Sequence, residues 1–300
     1  MKAMRLASVR VRGMLVMPLV AAASFGCGAR DLSIGLQERV EDASVLGDVA
    51  DAGKFVLVWR DDFNSLDPGR WETAEHTFEE NYADFTAASA VTQGGLLRLG
   101  VRAKPAGALG KPYSAAEVRT WANFACGKFL VRARIAAGMG IASTFFGFHD
   151  FFQNASAQDW NEIVMEASAP SRVDYVYTVE NPSASGGKER VSSAGSVDFD
   201  AAADFHVYGF EWTPDDVRFL VDGVARASLP AAIAGRLDRP KRIVMSAYPS
   251  TRLAPARSFD PAVLPAEAAY DWIEVHRYTG ACSPVPDGGE SGTSDAAPRD

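Results

Sequence analysis

Short strand-like segments run through most of this 300-residue chain and limit what it can fold into. Each is apolar throughout or alternates between apolar and polar residues, and alternation with a period of two is typical of a half-buried β-strand. They are residues 55–59, 96–101, 129–134, 173–178, 205–212, 217–221 and 242–246. Glycine, proline, asparagine and aspartate separate them, and no long helical pattern competes with them. We predict an all-β fold, a two-sheet antiparallel β-sandwich.

Two connections between these segments can be predicted in more detail. Residues 213–216, Thr-Pro-Asp-Asp, lie between two strand-like segments and predict a turn that joins adjacent antiparallel strands. Asp222-Gly223 is a dipeptide that favours the two-residue turn of a β-hairpin.

The charge and the metal-binding residue types exclude some functions. Acidic residues outnumber basic ones by 38 to 30, which gives a net charge of -8. This argues against a nucleic-acid partner, because phosphate binding needs clustered lysine and arginine. The chain has four histidines and three cysteines, with no cluster at metal-ligand spacing, so we expect no catalytic metal.

The N-terminus has the features of an export signal. Four basic residues precede an apolar stretch from Met14 to Phe25, which is too short to predict a membrane-spanning helix. Residues 24–27, Ser-Phe-Gly-Cys, resemble a bacterial lipoprotein cleavage box, although Ser24 stands where leucine is usual. We predict a signal peptide over 1–26 and a lipidated Cys27. Ordinary secretion and an uncleaved anchor are the alternatives.

The remaining regions follow from composition. We expect a linker up to residue 53, one domain over 54–279 and a disordered tail over 280–300, because the tail is polar and poor in apolar residues. An exported protein could join Cys126 to Cys282 by a disulfide. Sequence gives no distance between them, and we favour a buried thiol at 126 and a free thiol at 282.

The segment from Trp160 to Glu166 carries the strongest functional signal. On a strand, Trp160, Glu162, Val164 and Glu166 share one face, while the residues between them point into the core. Two carboxyl groups beside an indole suit a sugar-cleaving cleft, in which one carboxyl donates a proton and the other attacks or stabilises the anomeric carbon. The alternative is an exposed strand face that carries two solvated glutamates.

A sugar-cleaving role requires the carboxyl groups of the two glutamates to lie close together. Four residues of strand separate their Cα atoms by about 13 Å. Retaining glycosidases need carboxyl groups about 5–5.5 Å apart. The two side chains must therefore lean toward each other on a concave strand.

This segment resembles the active-site strand of glycoside hydrolase family 16, the licheninase and laminarinase group, whose motif reads E-[ILV]-D-x-E. The likeness extends from about 55 to 278. Its further blocks are residues 61–67 with Trp71, 116–119, 127–134, 205–214, 221–223 and 270–273. The resemblance implies a jelly roll with a concave cleft that binds carbohydrate, and a retaining mechanism with Glu162 as nucleophile and Glu166 as acid/base.

The chain departs from the family motif at its centre. The family carries aspartate between the two glutamates, where this chain has Val164. Valine neither hydrogen-bonds nor carries charge, so we expect slow turnover, a shifted pH optimum or no hydrolysis. Glu166 must be protonated near neutral pH to act as an acid, which requires a pKa raised by burial or by a nearby negative charge.

Other cleft positions are implied by the same resemblance. Trp160 matches a platform on which a sugar ring stacks, with a packing role at the sandwich edge as the alternative. Glu117 and Arg119 match residues that contact sugar hydroxyls, and a surface ion pair is their alternative. Phe146 and Phe148 match aromatic cleft positions, and sandwich core is their alternative.

Four further positions enter the comparison with the family. Ser246 and Tyr248 stand where relatives carry asparagine and tryptophan, and Tyr248 retains a ring that could stack on a sugar. Val176 replaces a residue that is usually polar. Asp271 matches a residue that ligates a structural calcium in some relatives; we expect no other cofactor.

These features predict an exported, monomeric, endo-acting glycosidase that cleaves a β-glucan or related polysaccharide, either as a cell-envelope lipoprotein or as a secreted enzyme. The membrane is then a partner only through the lipid anchor. A carbohydrate-binding lipoprotein with impaired catalysis and a transglycosylase are the alternatives. The sequence leaves the polysaccharide and its linkage open.

Overall fold

The structure, a computed structural model, describes residues 53–149, 160–180, 187–253 and 258–282. The chain divides into two units, residues 1–30 and 31–300, and all described residues belong to the second. The predicted signal peptide, Cys27 and most of the predicted tail lie outside the described residues. Across these described ranges, no helix has the length and apolar character needed to cross a membrane.

The described residues form sixteen strands, with short helices in the connections. The strands are β1 (Phe55–Asp61), β2 (Trp71–Thr73), β3 (Ala83–Phe85), β4 (Ala90–Thr92), β5 (Leu97–Ala103), β6 (Tyr113–Thr120), β7 (Gly127–Arg134), β8 (Ile141–Phe148), β9 (Asn161–Ser168), β10 (Arg172–Glu180), β11 (Lys188–Ser196), β12 (His206–Trp212), β13 (Val217–Val221), β14 (Val224–Leu229), β15 (Arg242–Pro249) and β16 (Ala266–Tyr278). The helices are an α-helix at Ala231–Ala234 and 3₁₀-helices at Ala87–Ser89 and Pro261–Val263.

The strands hydrogen-bond in the order β11-β10-β9-β8-β15-β6-β5-β16-β7-β12-β13-β14. All of these neighbours are antiparallel, so the predicted all-β fold is confirmed. We call β11 to β6 in this order the front half and β5 to β14 the back half. The pairing of β5 with β6 makes them one continuous sheet rather than two separate ones.

The two halves pack against each other through aromatic side chains. The rings of Phe145 on β8 and Phe210 on β12 have centroids 5.6 Å apart, and those of Tyr175 and Phe219 are 5.4 Å apart. The buried Tyr270 hydroxyl donates a hydrogen bond to a carbonyl of β8 across the same interface. Aromatic burial supplies a large share of the hydrophobic stabilisation in such a core.

Both predicted turns are confirmed. The backbone N–H of Thr213 donates to the carbonyl of Asp216 at 2.9 Å and closes the connection between β12 and β13. Asp222 and Gly223 have φ values of 50° and 77° between β13 and β14, the left-handed conformation that a two-residue hairpin turn requires. The Asp222 carboxylate also accepts a hydrogen bond from Val207 N–H, which fixes the hairpin against β12.

Cys126 and Cys282 form a disulfide, so the favoured prediction of two separate thiols was wrong. Cys126 immediately precedes β7, and Cys282 follows β16 by four residues. The two strands pair antiparallel with Lys128 opposite His276, which brings the chain leaving β16 back to the start of β7. The Cα atoms of the cysteines lie 5.9 Å apart, a usual separation for a disulfide.

Removing this disulfide should destabilise the protein strongly. The bridge spans 156 residues, and closing a loop of that length in the unfolded chain is worth about 3–5 kcal/mol. We expect the Cys126→Ser/Cys282→Ser variant to lose about that much free energy of unfolding in urea titrations. The matched control is Cys27→Ser, which leaves the bridge intact. Dithiothreitol should lower the stability of the wild type but not of the double variant; equal sensitivity in both would contradict the pairing.

Candidate active site

The outward surface of the front half, which we call the front face, carries the predicted catalytic residues. Ile163 and Met165 on β9 are buried in the core between the halves. Glu162, Val164 and Glu166 therefore project from the opposite side of the strand, as its alternation predicts. Glu162 and Val164 are half-buried, whereas Glu166 is only 8% exposed.

Strand register places a different neighbourhood around each of these three residues. β9 lies between β8 and β10, and residues directly opposite each other share a face. The three cross-strand sets are Phe148–Glu162–Thr178, Phe146–Val164–Val176 and Thr144–Glu166–Asp174. An apolar middle set thus separates the two glutamates.

Glu162 is oriented by a hydroxyl and lies near a cation. Thr178 Oγ1 donates a hydrogen bond of 2.6 Å to Glu162 Oε1. The Lys188 ammonium, at the start of β11, lies 3.3 Å from the centroid of the Trp160 ring. Burial lowers the pKa of Lys188, and the negative charge of Glu162 acts against that shift. The hydroxyl fixes the carboxylate through one of its two oxygens.

Glu166 has the environment of a proton donor. Burial raises its pKa, and the negative charge of Asp174 raises it further. The charges of Arg190 and Arg252 oppose this shift, as does the Tyr248 hydroxyl, which lies 3.4 Å from Glu166 Oε2. The net effect raises the pKa and favours the protonated carboxyl, the form that general acid catalysis requires.

Tyr248 does not fit the predicted sugar-stacking role. Its side chain is only 7% exposed, and its ring packs edge-on against Phe78 at 5.2 Å and Phe85 at 5.9 Å. The segment that precedes and includes β3 supplies both phenylalanines, and no local pattern predicted that this segment covers part of the front face. Tyr248 instead directs its hydroxyl at Glu166.

The other aromatic predictions lie on the front face. Phe146 and Phe148 are half-buried there, whereas the preceding residue, Phe145, is in the core, so the alternative that places them in the core was wrong. Trp160 meets Phe148 edge-to-face with ring centroids 5.4 Å apart, and Lys188 lies over its ring. These three aromatic residues form a continuous patch beside Glu162.

Glu117 and Arg119 belong to a buried charged network rather than to an exposed pair. His76 Nε2 lies 3.1 Å from Glu117 Oε1, and Arg119 Nη2 lies 3.7 Å from the same oxygen. Arg119 also approaches Glu72, which in turn pairs with Arg242. Sequence reasoning missed His76, Glu72 and Arg242, because strand pairing alone brings these distant segments together.

Asp174, Thr178, Arg190 and Arg252 were also missed as site residues. Asp174 and Thr178 alternate on a segment that was predicted as a strand, and the short connection from β9 to β10 could have given their register. Arg252 follows β15 and pairs with Glu80 at 2.6 Å; no local sequence pattern indicates this contact.

Asp271 does not fit the predicted calcium site. Its carboxylate forms an ion pair with the Arg132 guanidinium, so a cation from the protein already contacts it. Among the described residues, no group of three or more histidine, cysteine, aspartate or glutamate side chains could hold a metal ion.

Comparisons with known proteins identify the family of this chain. The model of the family described as Glycosyl hydrolases family 16 matches residues 72–274. A beta-glucanase of Acetivibrio thermocellus is 28% identical over 219 residues, which cover 71% of this chain and 61% of that protein. A beta-glucanase of Fibrobacter succinogenes is 27% identical over 183 residues, 61% of this chain and 50% of that protein. The match thus spans only 50% to 61% of the length of these relatives.

Solved structures share the fold. The laminarinase from Rhodothermus marinus aligns with a TM-score of 0.65 and 24% identity, over 75% of this chain and 98% of that chain. A prokaryotic beta-1,3-1,4-glucanase (lichenase) derived from a mouse hindgut metagenome aligns with a TM-score of 0.62 and 24% identity, over 72% and 97% of the two chains. The predicted jelly-roll fold is thereby confirmed.

Replacing Glu166 by glutamine tests its raised pKa through protein stability. A carboxyl whose pKa is higher in the folded than in the unfolded chain stabilises the fold fully below its unfolded pKa, and this contribution is lost as pH rises through the folded pKa. Glutamine keeps the neutral form at every pH. We expect Glu166→Gln to match the wild type near pH 4 and to be the more stable protein at pH 8, in urea titrations at both pH values.

The matched control is Glu79→Gln, which changes an exposed glutamate on the loop before β3. A pH-dependent gain of the same size in both variants would contradict the assignment of the effect to Glu166.

Proposed function

The chain belongs to glycoside hydrolase family 16, and from this we propose that it is an endo-acting, retaining glycosidase that cleaves a β-glucan or related polysaccharide. The observation that carries the proposal is the unequal pair on β9. A buried Glu166 with a raised pKa and a Glu162 oriented by a hydroxyl lie on one face of one strand. Two carboxyl groups with different environments are what acid and nucleophile roles require.

The two residues divide the reaction between them. Glu162 attacks the anomeric carbon while Glu166 transfers its proton to the leaving glycosidic oxygen, which yields a covalent glycosyl-enzyme. Glu166, now a carboxylate, takes a proton from water, and the oxygen of that water attacks the anomeric carbon and releases Glu162. The configuration at that carbon is retained, since it is displaced twice.

Thr178 supports this proposal despite the valine in the motif. Val164 lies between Phe146 and Val176 and offers Glu162 no hydrogen bond. The hydroxyl of Thr178, one strand away, orients Glu162 instead. Glu162 on β9 therefore has a polar contact that comes from β10 and not from its own strand.

The substrate class rests on the relatives and on the aromatic patch. The matching proteins from several bacteria are named beta-glucanases. Trp160, Phe146 and Phe148 give the front face apolar rings next to Glu162, which suits the faces of pyranose rings. We propose that these rings bind the polysaccharide beside the reacting bond.

Export is part of the proposal. The predicted signal and lipidation box at Cys27 call for passage out of the cytoplasm, and the disulfide between Cys126 and Cys282 is of a kind that forms and persists in oxidising compartments. We propose a monomer in the cell envelope or outside the cell.

The second candidate is a carbohydrate-binding protein without catalysis. The apolar set of Phe146, Val164 and Val176 favours it, because the face between the two glutamates lacks the carboxyl that family members carry there. Both candidates use the same face and differ only in whether glycosidic bonds are broken.

Hydrolysis of defined polysaccharides tests the proposal. We expect the purified full-length protein to release reducing ends from barley β-glucan or laminarin, and Glu162→Gln to abolish this because the nucleophile is gone. Glu166→Ala should reduce polysaccharide hydrolysis by about 10²–10⁴-fold, the usual effect of losing a general acid. It should lose far less activity on an aryl glycoside whose leaving group needs no proton. Full activity in Glu162→Gln would refute the assigned roles.

Val164→Asp separates the two candidates. The new carboxyl would lie about 7 Å along β9 from each glutamate Cα and restore the family motif. If the protein is an enzyme, we expect the wild type to hydrolyse and the variant to gain about tenfold in kcat/KM, equivalent to about 1.4 kcal/mol. Val164→Asn, similar in size but uncharged, is the matched control. Activity in Val164→Asp together with none in the wild type would favour the binding protein.

A further inference from the structure

Two acidic side chains face each other at the end of the front face that holds Glu166. Glu166 on β9 and Asp174 on β10 are directly opposite in the strand register, and each is 8% exposed. Side chains opposite each other in an antiparallel pair have Cβ atoms about 4.5–5.5 Å apart. Two carboxyl groups this close and this buried resist ionising together.

Arg172 makes the environments of the two carboxyl groups unequal, because it binds Asp174. It precedes Asp174 by two residues on the same face of β10. Its Nε donates to Asp174 Oδ2 at 2.6 Å, and its Nη2 donates to Oδ1. A guanidinium bound through both nitrogens stabilises the ionised carboxylate. Asp174 thus has a cation bound to both of its oxygens, whereas Glu166 faces it from the neighbouring strand with a pKa that burial raises.

We propose that Asp174, bound by Arg172 through both carboxylate oxygens, is a positioning residue that favours the protonated form of Glu166. It supplies from the neighbouring strand a negative charge that Val164 cannot supply from β9 itself. The inference rests on the proposed function, because the proton it places is the one that Glu166 donates to the leaving oxygen.

The other charged groups near Glu166 act in the opposite direction. Arg190 on β11 and Arg252 after β15 both favour the carboxylate of Glu166, and the Tyr248 hydroxyl does the same by hydrogen bonding. Glu80 pairs with Arg252 and reduces its effect.

The remaining carboxyl groups of the front face lie farther from Glu166. Glu162 is four residues along β9, with its Oε1 bound by Thr178. Glu117 lies three strands away and pairs with His76. The remaining contact on β8 is the uncharged Thr144. Among the described residues, Asp174 is therefore the negative group that faces Glu166 across the strand pair. It raises the pKa of Glu166, whereas the guanidinium groups of Arg190 and Arg252 lower it.

The same contact serves both halves of the reaction. Once Glu166 has given up its proton, two carboxylates face each other across β9 and β10. Their repulsion favours return of a proton to Glu166, which is the step that deprotonates the attacking water. No additional proton donor is required, because the proton lost in the first half is replaced in the second.

The test titrates Glu166 directly and does not need hydrolysis. Full-length protein labelled with ¹³C at the glutamate carboxyl carbon is followed by NMR from pH 3 to pH 9, with the Glu166 signal identified by its loss in Glu166→Gln. In Asp174→Asn we expect the Glu166 midpoint to fall by about one pH unit, as expected when one nearby like charge is removed. Asp215→Asn, in the exposed turn between β12 and β13, is the matched control and should leave it unchanged.

Arg172→Gln provides a second, independent outcome. Without the guanidinium, Asp174 competes for the proton, so the Glu166 signal should titrate in two steps instead of one. If Arg172 and Asp174 had a purely structural role, neither the midpoint nor the number of steps in the Glu166 titration would change. An unchanged midpoint in Asp174→Asn, or a single unchanged step in Arg172→Gln, would overturn the inference.

Activity then distinguishes this inference from the proposed function. In an active enzyme, the alkaline limb of the kcat/KM profile should move to lower pH in Asp174→Asn by the amount seen in the titration. The expected NMR shift without any hydrolysis by the wild type would support the proton assignment and refute the hydrolase. Hydrolysis with no shift in either measurement would refute the assignment alone.

Discussion

The register of β8, β9 and β10 is the constraint on which the candidate site depends. Side chains alternate strictly along a strand, so a slip of one residue would turn Glu162 and Glu166 into the core and bring Ile163 and Met165 out. The cost of burying two carboxyl groups without partners, together with the loss of two apolar core residues, keeps the strand in its observed register. The same register places Thr178 opposite Glu162 and Asp174 opposite Glu166. The neighbours of the two glutamates are therefore set by hydrogen bonding along the strands, far more than by local sequence.

The front face combines two electrostatic regimes within one strand. Near Glu162, a hydroxyl, a lysine and half-buried aromatic rings surround a carboxyl that remains accessible. Near Glu166, Tyr248 and the phenylalanines beneath it remove water, and burial dominates. The apolar side chain of Val164 lies between them and separates the two environments. The charged neighbour of Glu166 is supplied by β10, where Asp174 lies opposite it.

Much of the fold was predictable because its signals are local. β13 occupies Val217–Val221, as its apolar run predicts, and Asp222-Gly223 forms the hairpin turn that follows it. The side from which Glu162 and Glu166 project also follows from alternation alone. Contacts between strands distant in sequence could not be predicted in this way. The Cys126–Cys282 bridge, the charged network around His76 and the burial of Tyr248 depend on which strands pair, and strand partners are chosen by long-range packing.

The position of β16 has a consequence for biosynthesis. This C-terminal strand lies between β5 and β7 and also pairs with β1, so it fills the middle of the back half. A nascent polypeptide that ends before Ala266 lacks the strand that joins these neighbours, and it leaves three strands with unpaired backbone groups. The sheet therefore stays incomplete until β16 has been synthesised, although most of the chain has left the ribosome by then. Closure of the Cys126–Cys282 bridge is likewise postponed until this strand has been synthesised, because Cys282 follows it.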